Sequence, residues 1–126
     1  MRRFLITFLV FLFSATPAFA TKDYSIPKAN IEVFLNKDGS ADITEERTYS
    51  FTETFHWADQ YIPLQNHKII FRSITSENIP LKYEKSLTDD KFYIKWFYDA
   101  TDEQKTFKLS YTIQNALINH QDVSEF

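Results

Sequence analysis

The chain reads as all-β, a single antiparallel β-sandwich of immunoglobulin-like or similar kind that follows a cleaved signal peptide. Three observations predict this. Apolar residues recur with a period of two, such segments follow one another at roughly ten-residue spacing between polar turns, and no stretch beyond the leader carries a helical period. Any helix longer than about three turns after the leader would refute the all-β reading.

Residues 1–20, MRRFLITFLVFLFSATPAFA, place Arg2 and Arg3 before an apolar run from Phe4 to Phe13 and close on Ala18-Phe19-Ala20. This is the pattern of a secretory signal peptide, with cleavage expected after Ala20. The run is about half the ~20 residues that span a bilayer, so a retained membrane helix is the weaker reading. No cysteine follows to carry a lipid anchor. Residues 21–126 then form one domain, large enough to bury roughly two-thirds of its unfolded surface without disulfides.

Thr21 to Lys28 reads as a polar lead-in, with Pro27 marking an edge entry. Ile31 to Phe51 is a β-hairpin turning at Lys37-Asp38-Gly39-Ser40, and Gly39, the chain's one glycine, sits where the connection needs positive φ. In the second strand Glu45 and Arg47 share the phase of Ile43 and Tyr49. A bulge near Glu45, a solvated end of the sheet, or pairing of these charges with others such as Arg72 would account for that, the first two being the plainer explanations. Thr52 to His67 shows no sustained period and reads as a crossover loop with a short extended piece at Tyr61-Ile62.

Lys68 to Thr75 is β-branched enough for a strand, Ile79 to Lys85 extends it or forms another, and Leu87 to Asp90 is a turn. Lys91 to Tyr98 alternates cleanly, but its second face carries Tyr93 and Phe97, so that face is partly covered or meets something outside the domain. After an acidic turn from Asp99 to Gln104, Phe107, Leu109, Tyr111 and Ile113 mark the clearest strand. The expected core is Ile31, Val33, Leu35, Ile43, Tyr49, Phe92, Ile94, Trp96, Phe107, Leu109, Tyr111 and Ile113.

Without Arg2 and Arg3, 12 basic residues face 17 acidic ones, and the lysines are interleaved with acids. This counts against nucleic acid and against a polybasic membrane contact as partners. Asn36, Asp38, Gly39, Asp42 and Glu45 mimic the spacing of a calcium loop, but Phe34 occupies the first ligand position and the flanks are strands, not helices. His56, His67 and His120 are scattered, no thiolate joins them, and adjacent carboxylates such as Glu45-Glu46 point to opposite faces of a strand. One glycine builds neither a nucleophile elbow nor a phosphate-cradling loop. Trp96 reads as core, whereas Trp57, with Phe55, His56 and Tyr61 nearby, is the better candidate for a surface contact.

Asp23 to Ile26, the NKDGSADITEERTYSFTETF hairpin, Tyr61-Ile62-Pro63 and Tyr111 to Asp122 together resemble the N-terminal extracytoplasmic domain of the predicted membrane proteins of domain-of-unknown-function family 2207. The resemblance implies a signal peptide, a β-rich domain and then transmembrane helices, with no established activity. Two departures stand out: Gln60 occupies a place where the family pattern has a basic residue, and the chain stops at Phe126 where the family continues through a tryptophan to its membrane segments. A truncated relative is thus expected, with no membrane span after the leader, poor order from about His120 and weak self-association through its C-terminal end.

The expected function is a non-enzymatic exported module, periplasmic or extracellular, that contacts an envelope protein or ligand, or its own family's membrane portion. The alternative is a carbohydrate- or cation-binding or hydrolytic domain centred on Glu45, Glu46 and the His56-Trp57 loop. The candidate binding residues are Glu45, His56, Trp57 and Tyr61; no catalytic residue, metal ligand or cofactor is assigned.

Overall fold

The computed structural model describes residues 21–116. The signal-peptide reading and the disorder and self-association expected near the C-terminal end fall on residues 1–20 and 117–126, outside the described residues. Eight strands follow in order: β1 Asp23–Leu35, β2 Ala41–Thr52, β3 Thr54–Pro63, β4 Lys68–Ser76, β5 Ile79–Pro80, β6 Tyr83–Leu87, β7 Lys91–Thr101 and β8 Gln104–Gln114. They form two antiparallel sheets, one of five strands in the order β1-β2-β8-β4-β5 and one of three in the order β3-β7-β6. The molecule is an all-β sandwich, and the described residues contain no helix.

Two long strand pairs, bent in the middle, build it. β2 runs into β3 and β7 into β8, and the antiparallel pairing of β2 with β8 continues beyond the bend as that of β3 with β7. Each bend has a residue in the left-handed region, Glu53 at φ 72° and Asp102 at φ 47°. The bends also lock each other: Glu53 N–H donates to Asp102 Oδ1 at 2.7 Å, Phe51 N–H to the Glu103 carbonyl at 2.9 Å, and the Thr54 and Thr101 hydroxyls meet at 2.8 Å. Acid and hydroxyl side chains suit this place because they bond to the backbone where the ladder breaks.

The β1–β2 hairpin closes as its sequence predicts. Asn36 N–H donates to the Ser40 carbonyl at 2.8 Å, Gly39 lies at φ +87°, and Asp38 Oδ1 accepts from the Ser40 amide and hydroxyl at 2.9 and 2.6 Å. These bonds hold the Asp38 carboxyl below its ordinary range, as those from Thr112 and Asn36 do for Asp42.

The core lies between the sheets and is rich in rings. Ile43, Tyr49 and Phe51 of β2, Ile62 of β3, Ile74 of β4, Phe92, Ile94, Trp96 and Tyr98 of β7, and Phe107, Leu109 and Tyr111 of β8 are buried, with Ile113 packed half-buried against them. Phe107 makes an edge contact with Tyr49 at 5.3 Å and a tilted one with Tyr98 at 4.7 Å. Such pairs hold a core together beyond the area they bury.

Four expectations need correction. Ile31, Val33 and Leu35 are not core, being 53%, 46% and 45% exposed. They do point to the inner side, opposite Glu45, Ile43 and Ala41, but no residue of β1 belongs to the core cluster, because the three-stranded sheet does not extend over this edge. Alternation finds the face of a strand, not whether another layer covers it. Second, β1 begins at Asp23, and Pro27 sits in a bulge between Ser25 and Lys28 on this edge strand, where the ladder tolerates a missing donor. Third, Thr54–Pro63 is a strand and not a loop; a bulge between Phe55 and Trp57 shifts its phase, and aromatic residues on its outward side hide the alternation. Fourth, no bulge lies near Glu45, since β2 stays in register with β1 and β8 through that point, and the acidic turn shortens to Asp102-Glu103.

The first correction is directly measurable. Ile43→Ala is expected to cost about 2–5 kcal/mol, and Ile31→Ala or Val33→Ala less than about 1 kcal/mol. Urea denaturation midpoints with unchanged m-values give both numbers; equal losses at positions 31 and 43 would mean that something covers β1.

Candidate functional site

Glu45, His56, Trp57 and Tyr61 do not converge on one site, although His56 and Trp57 border the same cleft. Glu45 lies inside the sandwich at 5% exposure, where it pairs with Arg47, accepts from the Tyr111 hydroxyl, and accepts from Gln60 Nε2 at 2.9 Å. Arg47 in turn donates to Gln60 Oε1 at 3.0 Å. The pairing explanation for the charges on β2 therefore holds, with partners from β2, β3 and β8 in place of Arg72, which donates to the Thr112 hydroxyl at 2.7 Å. Burial, together with the bond to Glu45, pushes the Tyr111 hydroxyl well above its ordinary range. With its oxygens engaged and Glu46 exposed on the opposite face, Glu45 is built as a structural group, and no carboxylate pair forms here.

His56 sits at the β3 bulge, with Nδ1 2.8 Å from Asp99 Oδ1 on the exposed surface. It borders a cleft of about 350 Å³ lined by Lys22, Tyr24, Tyr49, Phe55 and Trp57 among others. This volume is at the lower end of the range of small-ligand sites. Among the described residues no three His, Asp or Glu side chains come together as metal ligands.

Trp57 and Tyr61, by contrast, share a face. Counted outward across the three-stranded sheet, Trp57 stands opposite Phe97, Asp59 opposite Lys95 and then Glu84, and Tyr61 opposite Tyr93 and then Ser86. Two aromatic rows thus flank a charged one. Trp57 is 49% and Tyr61 60% exposed. Lys95 Nζ lies 4.4 Å from the centre of the Trp57 ring and 5.4 Å from that of Phe97, and Lys91 Nζ lies 5.5 Å from Tyr61. The Tyr93 hydroxyl donates to Asp59 Oδ2 at 3.1 Å, and its ring meets Tyr61 at 4.8 Å. Desolvation and that hydrogen bond raise the Tyr93 hydroxyl above its ordinary range.

The opposite outer face is built otherwise. Asp42, Thr44, Glu46, Thr48 and Ser50 of β2 stand beside Thr112, Ser110, Lys108, Thr106 and Gln104 of β8, all polar, with the Thr48 and Thr106 hydroxyls 2.8 Å apart. A solvated sheet face is expected to look like this. The face carrying Trp57 and Tyr61 does not: rings gather on it, whereas on the other face the β2–β8 centre is polar and exposed apolar side chains stand apart on the flanking strands, Phe34 of β1 beside Asp42 and Ile70 of β4 beside Thr112.

Sequence reasoning put forward Trp57 and Tyr61 as candidates and singled out Tyr93 and Phe97 for their place on the second face of β7. It missed Asp59, Lys95 and Glu84. The signal that would have found them is the period of two shared by Trp57, Asp59 and Tyr61, which only becomes meaningful once residues 54–63 are recognised as a strand.

The family model described as the N-terminal domain of a predicted membrane protein, DUF2207, matches residues 25–126. No curated protein matches the chain. No helix among the described residues is long and apolar enough to cross a membrane.

Proposed function

We propose, from the premise that the chain belongs to the DUF2207 family of predicted membrane proteins through its N-terminal domain, that it is a non-enzymatic exported module whose aromatic face engages a component of the cell envelope. The observation that carries this reading is the clustering of rings on the outer face of the three-stranded sheet, set against the polar β2–β8 centre of the other sheet. Every outward residue from Asp42 to Ser50 and from Gln104 to Thr112 is polar, whereas Trp57, Tyr61, Tyr93 and Phe97 gather on the other side. Leaving rings in water forgoes the stabilisation of burial, about 25 cal/mol for each Å² of apolar surface, so a partner that covers them gains it. The leader pattern and the family's membrane character support an extracytoplasmic placement.

The non-enzymatic part of the reading rests on the engagement of Glu45 inside the sandwich and on the separation of His56 from Tyr61 along β3. The experiment is retention of the purified chain on isolated envelope fractions, with a hydrolase substrate panel run beside it. Wild type is expected to be retained, and a Trp57→Ala/Tyr61→Ala double variant to lose retention while keeping its fold. Turnover of any substrate that disappears on changing one carboxylate or histidine would overturn the reading, as would full retention of the double variant.

A further inference from the structure

Resting on the aromatic face as the working surface, we infer that its ligand is a neutral polysaccharide strand. The order of the rows carries the argument. Protein–protein interfaces place aromatic residues at the centre and charge at the rim, since a central charge must be desolvated without relief. Here the order is reversed: the row Asp59–Lys95–Glu84 runs through the middle, with Trp57–Phe97 on one side and Tyr61–Tyr93 on the other. A ligand for this face must cover rings and satisfy charges within a few ångströms of each other.

A sugar ring does both. Its C–H face packs on the electron-rich face of an aromatic ring, and its hydroxyl edge donates to Asp59 and Glu84 and accepts from Lys95. Lys95 lies over Trp57 and Phe97 on an exposed surface, where cation–π attraction is weak, so a sugar displaces the ammonium toward its own hydroxyls at little cost. Asp59, Glu84 and Asp99 are interleaved with Lys82, Lys91 and Lys95 along these strands, so the face complements neither a polyanion nor a polycation. The same central carboxylates oppose burial in a lipid headgroup layer. Trp57 and Tyr61 are four residues apart on one strand, about 13 Å along it, so the ligand that reaches both rows is an oligomer and not a single sugar.

The test uses tryptophan emission, because the chain has two tryptophans and only Trp57 is exposed, Trp96 being 2% accessible. The purified chain is titrated with cellohexaose and chitohexaose as neutral probes, with polygalacturonate as an anionic one, and with vesicles of phosphatidylethanolamine and phosphatidylglycerol. A saturable change with at least one neutral oligosaccharide is expected. By calorimetry, Tyr61→Ala and Trp57→Ala should weaken that binding at least roughly tenfold, and Trp57→Phe should retain most of it. Silence with both neutral oligosaccharides, preference for polygalacturonate or vesicles, or indifference to Tyr61→Ala overturns the inference. If sugars are silent while envelope retention still needs Trp57 and Tyr61, only the ligand class is wrong; if retention is also indifferent to them, the contact-module reading falls with it.

Discussion

Replacing Trp96 with alanine is expected to cost about 3–5 kcal/mol, a large share of the ~5–15 kcal/mol that holds a domain of this kind folded. Trp96 is 2% exposed, stands between Ala58 and Tyr83 across the middle of the three-stranded sheet, and meets Phe107 of the other sheet at 5.7 Å. Truncation would leave a cavity beneath strands that cannot collapse independently, since β7 is paired on both sides and its register with β3 is fixed at the bends. The indole N–H, however, meets no acceptor among the described residues. Trp96→Phe removes that buried donor along with part of the ring, so its cost should be clearly smaller than that of Trp96→Ala. Urea unfolding of both variants measures the difference, and equal losses would mean that the indole donor is satisfied.

Arg47→Leu is expected to destabilise the chain by about 3 kcal/mol, because it leaves the Glu45 carboxylate buried with only neutral partners, Gln60 and Tyr111. Glu45→Gln should cost less, about 1–3 kcal/mol, since Arg47 is the more exposed partner and can turn toward water. Removing both charges in Glu45→Leu/Arg47→Leu should recover much of the loss, because a well-packed apolar pair is often as stable as a buried ion pair. A double-mutant cycle by denaturant unfolding reads this directly, and additive losses would contradict the coupling. None of these variants should alter envelope retention, as the network lies on the inner side of β3 and the aromatic face on the outer.

Both residues also show how far the sequence can be read. Trp96 was legible because β7 alternates without interruption, and the same holds for Phe107, Leu109 and Tyr111 of β8. Glu45 was not, since its partners come from elements far along the chain: Gln60 lies fifteen residues away and Tyr111 sixty-six. From β2 alone, two charges in an apolar phase look the same whether a bulge, solvent or a buried network accounts for them. The inward position of Gln60 beside Glu45 and Arg47 gives it a structural role which no local reading supplies.

The candidate face was half legible for a related reason. Tyr93 and Phe97 stood out because they break the polar side of a clear strand, but Trp57, Asp59 and Tyr61 lie in a segment whose bulge and outward rings mask its period. The exposure of Ile31, Val33 and Leu35 was illegible in principle, since it depends on how many strands the opposite sheet contains. Pattern assigns residues to a side of a strand, while layer count decides what burial follows.

The most direct test of the aromatic face as the working surface is residue-level mapping of the bound state. Isotope-labelled chain is titrated with solubilised envelope fraction, and amide shift changes are followed by NMR. Perturbed amides are expected to cluster at Trp57, Asp59, Tyr61, Tyr93, Lys95 and Phe97, with Thr44, Glu46, Lys108 and Ser110 on the opposite face unmoved. Perturbations confined to that polar face or to Ile31–Leu35, or their absence throughout, would contradict it.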